Sequence, residues 1–170
     1  MYMGHLGIAL GARRLSTRVP LWLLLVASSA PDLVNAAGGF TPWSGWIIHH
    51  SHTLVGVSVL AIAIGIVGWL LSRCAVGALL SAGLVVSHLV ADWIVTSVAI
   101  WPNGPTIGLH LYYRHPIIDF IVEIIAILAG VYFYRQSYNL QWQQKMVPSI
   151  AMLVVLVGFQ AIWDGMLIMS

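Results

Sequence analysis

Charge is what this sequence lacks most. Of its 170 residues only 7% are Asp, Glu, Lys or Arg, while 60% are hydrophobic. A water-soluble domain carries about 25% charged residues, so the polar side chains here are too few to cover a surface facing water. Cysteine is nearly absent too. Cys74 is the only one, which excludes an intrachain disulfide and any zinc site built on several thiolates. The net charge is +2 with no basic patch, which argues against nucleic acid as a partner. There is no glycine-rich phosphate loop and no nucleophile-elbow pattern. The apolar runs also lack the strict alternation of a membrane barrel strand.

Long apolar runs are what the chain has instead, and its mean hydropathy is +0.93. Residues Val19–Gly38, Ile47–Leu71, Ala75–Trp101, Ile117–Tyr134 and Met146–Ile168 approach or exceed the ~20 residues a helix needs to cross a bilayer. Pro20, Pro116 and Pro148 stand at the starts of three of these runs, where a missing N–H costs least. Trp101-Pro102-Asn103-Gly104-Pro105 reads as a turn, and residues 136–145 as a polar linker. Tyr2–Ala12 is apolar but short, about 20 Å of helix even when extended to the following arginines. The expected fold is therefore all-α: one polytopic membrane domain over residues 1–170, with about five transmembrane helices plus a short N-terminal membrane-embedded segment. The arginines before Val19 and the small residues Ala27–Ala30 imitate a cleaved secretory signal. The apolar run continues to Ala37, however, and is expected to stay as a helix.

Orientation follows from the basic residues, which favour cytoplasmic loops. Placing Arg13, Arg14 and Arg18 inside also places Arg73, Arg135 and Lys145 inside, leaving only Arg114 outside. Trp22, Trp69 and Trp142 then fall at the inner interface and Trp43, Trp46 and Trp101 at the outer one, as interfacial aromatic belts do. In this frame all seven His and five acidic residues lie in the outer half or the outer loops. Ionisable side chains inside a bilayer are costly and usually mark function.

Several constellations stand out. His88 and Asp92 are four residues apart and share a helix face. Imidazole with carboxylate suits zinc and similar divalent ions, but a neutral His bonded to an Asp inside the bundle is an equal account. In His49-His50-Ser51-His52, helical spacing puts His49 and His52 on one face and His50 elsewhere; they are either ligands at a helix mouth or a hydrated interfacial cluster. Asp32 in Ala30-Pro31-Asp32 is either a functional carboxylate or the cap of a helix-breaking turn. His115, Asp119 and Glu123 form a slowly drifting ladder, able to supply ligands, orienting partners or a general base. Asp164 stands alone in the last span and calls for a buried polar partner.

With these pieces in place, the chain resembles the YdjM-like family of small bacterial inner-membrane metal-dependent hydrolases. The resemblance rests on Gly4-His5, Pro31-Asp32, Ser51-His52-Thr53, Ser87-His88 with Asp92, the stretch Trp101–Leu109, and Glu123, and it covers roughly residues 1–135. Two positions depart from the family pattern: Val34 stands where a second acid is expected, and Thr53 follows His52 in place of Ser. The resemblance implies a multi-pass protein of the inner (plasma) membrane. It implies a divalent metal, Zn²⁺ by preference, on His5, His52, His88 and Asp92, with His49, Asp32 and Glu123 in reserve and Asp32 or Glu123 as general base. A site at that depth would act on a membrane lipid or lipid-linked ester or phosphoester. Two other classes fit the same residues: a haem-binding or electron-transfer bundle with two facing His ligands, and a transporter or sensor that binds metal or protons without chemistry.

The orientation has a direct check. A cysteine introduced at Ser44 or Asn103 should react with an impermeant thiol reagent added to intact cells. A cysteine at Ser137, and the native Cys74, should stay protected; labelling of Ser137→Cys from outside would invert the topology.

Overall fold

Every turn of a membrane helix satisfies its own backbone, so the informative places in this chain are where helices begin, break and end. The computed structural model describes residues 3–40, 50–137 and 142–168. Among them are eight helices: α1 (Met3–Ala12), α2 (Leu21–Ser28), α3 (Ala30–Gly38), α4 (Leu54–Ser72), α5 (Ala75–Val95), α6 (Leu111–Arg114), α7 (Pro116–Gln136) and α8 (Trp142–Ile168). Four of these contain segments long and apolar enough to cross a membrane: Leu54–Ser72, Ala75–Val95, Pro116–Gln136 and Pro148–Met166. The bent pair α2–α3 makes a fifth if it is one span. The all-α polytopic bundle expected from the apolar runs is what the chain forms.

Four boundaries differ from the sequence reading, each for a local reason. The run Val19–Gly38 is not one helix but bends by 69° between α2 and α3. Pro31 lies in the first turn of α3 and has no N–H to continue the ladder. Asp32 does not cap this turn; Ser29 is the capping residue and no side chain bonds there. The second span starts at Leu54 rather than Ile47, because Thr53 is its N-cap and accepts the Gly56 N–H through Oγ1 at 3.0 Å. The third ends at Val95. The chain then pairs β1 (Val98–Ala99) with β2 (Thr106–Ile107) in an antiparallel hairpin around the expected Trp101–Pro105 turn, where Asn103 takes a left-handed conformation. The last helix begins at Trp142, within the expected linker, so Pro148 lies inside it and removes one ladder bond rather than opening the helix.

Packing sets the relative depth of the helices. Helix α1 runs parallel to α7 with a constant offset: the Gly4 N–H donates to Glu123, Gly7 lies against Ala126 and Ile127, and Gly11 faces Gly130. A Cβ on Gly7 would lie 2.7 Å from the Ala126 carbonyl oxygen and 2.8 Å from Ile127 Cα, so glycine here is what lets the two backbones touch. The same offset sets Met3 level with Val122, six residues into α7 and roughly 9 Å below its start. The short N-terminal helix thus begins inside the bundle. Helices α4 and α5 are antiparallel neighbours, with Gly65 against Ala78 and Ala82. Leu23, Leu24 and Ala27 of α2 pack with Val57, Leu84 and Val85 to form one core. Leu10, Ile127, Val131 and Leu156 form another where α1, α7 and α8 meet.

These registers predict an asymmetric response to added methyl groups. Gly130→Ala presses a Cβ onto the Gly7 backbone and should destabilise by about 1–3 kcal/mol, the usual cost of overpacking. A Cβ on Gly83 meets nothing within 4 Å, so Gly83→Ala should stay within about 0.5 kcal/mol. Thermal unfolding in detergent separates the two; equal midpoints would mean that α1 and α7 do not touch through glycine.

Candidate metal centre

The break between α2 and α3 leaves a backbone acceptor facing inward. In an unbroken helix the Ser28 carbonyl would accept from the residue four positions on. Here it accepts from His88 Nδ1–H at 2.8 Å. A carbonyl only accepts, so the proton is on Nδ1 and the His88 Nε2 lone pair points away from α2. One turn further along α5, Asp92 projects from the same face, its Oδ2 3.2 Å from His88 Nε2. The i, i+4 pair expected from sequence is therefore one unit, held in a single orientation by a helix break 60 residues earlier.

Three other elements bring side chains to the same point. His52 lies in the turn before the Thr53 cap, with Nε2 3.1 Å from Asp32 Oδ1 on α3 and 3.4 Å from His88 Nε2. His5 on α1 stacks on the His88 ring, with centroids 3.8 Å apart and planes 16° from parallel, and its Nε2 lies 3.3 Å from Asp92 Oδ1. Two longer separations close the cluster: His88 Nε2 to Asp32 Oδ1 at 3.7 Å and His52 Nε2 to Asp92 Oδ2 at 3.8 Å. Zinc holds N and O ligands at about 2.0–2.2 Å in a tetrahedron, which sets neighbouring ligand atoms roughly 3.3–3.6 Å apart. The observed separations bracket that value. Among the described residues two sets of three could each hold an ion, His5–His88–Asp92 and Asp32–His52–His88.

The surroundings orient these ligands. Ser51 Oγ–H donates to Asn35 Oδ1 at 2.6 Å, and Ser51 Oγ lies 3.0 Å from His52 Nδ1. Asn35 Nδ2 lies 3.1 Å from that same nitrogen. Both tautomers of His52 are served. Asn35 can donate to a bare Nδ1 while Nε2–H donates to Asp32. Alternatively, Nδ1–H donates to Ser51 and the Nε2 lone pair turns inward. Asn35 is one turn after Asp32 on α3 and next to Val34, the position where a second acid was expected. The polar side chain near that position is thus an orienting amide and not another carboxylate.

His5 is placed from the far side of the bundle. The first N–H groups of a helix have no partner within it, and α1 starts inside the bundle, beside α7 and α8. Glu123 Oε2 accepts the Gly4 N–H at 2.7 Å and Gln160 Oε1 accepts the Met3 N–H at 3.3 Å. A carboxylate is also favoured by the helix dipole at this end. The His5 ring, 1% exposed, has no hydrogen-bond partner on either nitrogen, since Nε2 faces Asp92 Oδ1 outside hydrogen-bonding geometry. A buried polar group left in that state costs about 1–3 kcal/mol. A cation between His5, His88 and Asp92 would satisfy Nε2 and the carboxylate together, so the residues present fit a metal ion.

Of the residues singled out from sequence, His5, Asp32, His52, His88 and Asp92 converge here. Glu123 belongs to neither ligand set and instead caps α1. His49 lies outside the described residues. His50 offers its backbone carbonyl to Thr53, and His115 is exposed beyond the bundle. Asp119 is buried with Oδ1 unpartnered. Asp164 has the polar partner its position called for: Gln160 Nε2 donates to both of its oxygens at 3.0 Å. Sequence reasoning missed Asn35 and Gln160. Both stand one helical turn from an acid inside an apolar run, the only signal that could have found them.

Among the described residues, access is one-sided. His5 and His88 side chains are 1% exposed, whereas Asp32 is 45% and His52 28% exposed, so the cluster opens on the α3 side. No protein-family model, curated protein or solved structure matches the chain.

Because Glu123 serves as a cap, Glu123→Leu should lower stability by about 1–3 kcal/mol by stranding the Gly4 N–H. Glu123→Gln, which keeps an acceptor oxygen, should recover most of it. Chemical unfolding in detergent measures both, and equal losses in the two variants would point to a need for the charge itself.

Proposed function

We propose that this protein is a metal-dependent hydrolase embedded in the inner (plasma) membrane, acting on a lipid or lipid-linked ester or phosphoester. The observation that carries this reading is the convergence of three imidazole Nε2 atoms and two carboxylates at tetrahedral ligand spacing, open on one side only. The motif resemblance to YdjM-like hydrolases supports it. Imidazole and carboxylate donors without thiolate suit zinc. A catalytic zinc keeps one position free of protein, so not every donor binds at once. The buried set, His5, His88 and Asp92, is assigned as the ligands. His52 and Asp32 are assigned to the open side.

When bound, the ion would supply Lewis-acid polarisation of the ester or phosphoryl oxygen and a lowered water pKa. The chain's own residues do the rest. Ser28 fixes the His88 tautomer, and Asn35 with Ser51 fixes the His52 ring. The Asp32 carboxylate, hydrogen-bonded to His52 Nε2, stands at the solvent-facing edge, where Oδ1 can take the proton of an attacking water. Returning that proton to the leaving oxygen completes hydrolysis. Haem is the poorer reading for these histidines, because His5 and His88 are stacked at 3.8 Å and leave no slot for a porphyrin between their rings. Metal binding without chemistry, as in a transporter or sensor, remains the other outcome of the experiment.

Elemental analysis of purified protein should find about one zinc per chain, removable by chelation. His88→Ala and Asp92→Ala should each lose it, and the double variant should be little worse, since ligands act as a unit. His52→Ala and Asp32→Ala should keep the metal and lose hydrolysis of ester- and phosphoester-bearing lipids. Asn35→Ala should also keep it but bring the substantial loss of activity, about 10–100-fold, typical of orienting partners. Full metal in both His88→Ala and Asp92→Ala would remove the site, and metal without hydrolysis of any lipid would favour the binding-only reading.

A further inference from the structure

Glycine lets α1 touch α7, and it also leaves space beside them. Gly11 and Gly130 face each other across that contact, and a Cβ on Gly83 of α5 would meet nothing within 4 Å. Side chains that could fill the gap are missing, and a cavity of about 620 Å³ lies open among the three helices. That is the size of a small-molecule site. No residue of the His/Asp cluster lines it. Along α5 it runs from Leu79 to Ser87, roughly 12 Å. That is most of the ~15 Å of one leaflet, half of a ~30 Å core. At the Leu79 end its wall includes Arg14, which is exposed and has the Phe133 ring 5.5 Å away. Among the described residues no carboxylate pairs with this guanidinium; the acids that pair do so with histidine. Arg13 and Arg18 flank it, Arg73 precedes α5 and Arg135 lies in the last turn of α7. The acids are all toward the other end of the bundle. Asp92 and Asp164 lie near the C-terminal ends of α5 and α8, Asp119 and Glu123 in the first half of α7, and Asp32 against His52.

We propose that this cavity seats one anionic phospholipid of the leaflet at the arginine end, with its phosphate on Arg14 and one acyl chain running between Gly11, Gly83 and Gly130 toward Ser87. The seat goes beyond the hydrolase reading and does not rest on it: this lipid is a bound partner, not a substrate. Three observations select the occupant. Two of the walls, α5 and α7, are long and apolar enough to span the membrane, so acyl chains are the medium around the gap. The one cation on the wall stands at the end where a head group would be, and a guanidinium meets a phosphate in charge-assisted hydrogen bonds. Its neighbours at that end are further arginines with no described acid among them, a field that draws anionic lipids over zwitterionic ones. A second copy's apolar helix laid in the groove would have to bury Arg14 without a counter-ion, at considerable cost. A phospholipid brings the counter-ion with it.

Photolabelling tests the seat on the full chain. The protein is reconstituted in phosphatidylcholine vesicles doped with phosphatidylglycerol or phosphatidylcholine carrying a diazirine, either near the ester or at the methyl end of one chain. Labelled peptides are mapped by mass spectrometry. Ile66 and Leu70, exposed on the half of α4 nearest Arg73, serve as the reference for bulk lipid. With phosphatidylglycerol the ester-end probe should label the stretches around Leu15, Leu79 and Phe133. The methyl-end probe should label those around Gly7 and residues 83–87. Both should stand well above the α4 reference, whereas the phosphatidylcholine probes should label groove and α4 alike. Arg14→Gln, at an exposed position, should cut groove labelling by phosphatidylglycerol about tenfold, the loss of one charge-assisted hydrogen bond. Gly83→Phe places its ring in open space and should abolish methyl-end labelling of the groove while leaving α4 unchanged. Thermal unfolding in detergent checks that both variants are folded, and Arg14→Gln decides alone if Gly83→Phe is not. Groove labelling no denser than at α4, equal labelling by the two head groups, insensitivity to Arg14→Gln, the reverse order of the two probes, or chain-to-chain crosslinks through the groove would each overturn the assignment.

Discussion

A carboxylate held among apolar helices needs positive charge beside it, and Asp92 meets that need in an unusual way. It is 8% exposed and faces His5 and His88, both fully buried. The proton on His88 Nδ1 is committed to Ser28, so a neutral His88 turns a lone pair toward the Asp92 oxygen, which is repulsive. Two remedies exist. A second proton on His88 makes an ion pair with Asp92, but it puts an imidazolium flat against the His5 ring and 3.4 Å from His52 Nε2, and it leaves both His5 nitrogens unpartnered. A divalent cation held by His5 Nε2, His88 Nε2 and Asp92 would turn those two lone pairs and the carboxylate into ligands together. The second account satisfies more groups with one charge, which is why the metal reading is preferred to a structural ion pair.

The surrounding irregularities make sense as servants of that cluster. Broken backbone at membrane depth is tolerated only where protein or a cavity satisfies it. The Ser29 break meets the condition by giving the Ser28 carbonyl to His88. The start of α1 meets it by giving its N–H groups to Glu123 and Gln160. The interruption before α4 meets it through the Thr53 cap, and an isolated bridge from Thr53 to Ala99 ties this turn to the hairpin after α5. Each device consumes a polar group that would otherwise be stranded, and each leaves a histidine or an aspartate aimed at one point.

Local periodicity was readable from the residues; long-range geometry was not. His88 and Asp92 share a face because a helix repeats every 3.6 residues, and nothing beyond α5 is needed to see it. The spans follow from apolar length for the same reason. The bend at Ser29 was only half legible: Pro31 announces an interruption, but whether Asp32 caps it or faces His52 depends on where α4 begins. The span boundary at Leu54 depends on a threonine cap that competes with the apolar run before it. His5 looks like a packing residue in isolation; only the motif resemblance named it as a ligand, and what brings it to Asp92 is a helix register written in glycines 119 residues apart. Glu123 was held as a reserve ligand from the His115–Asp119–Glu123 ladder and the motif resemblance; that it accepts the Gly4 N–H is something no side-chain pattern reveals.

Depth ties the site to its proposed substrate. Asp92 is three residues and His88 seven residues from the end of α5 at Val95, so their donor atoms lie roughly 5–10 Å inside that end of the helix. Met3, from the α1–α7 register, starts about as far below the end of α7. A 21-residue helix measures roughly 31 Å, close to the ~30 Å hydrocarbon core, so a cluster at this level sits near the region where acyl chains join their polar groups. A water-soluble substrate would have to leave water to reach it. A lipid already has its ester or phosphoester there, and in the hydrolase reading the polar approach seen among the described residues, past Asp32 and His52, would have one task left: to admit the water that hydrolysis consumes.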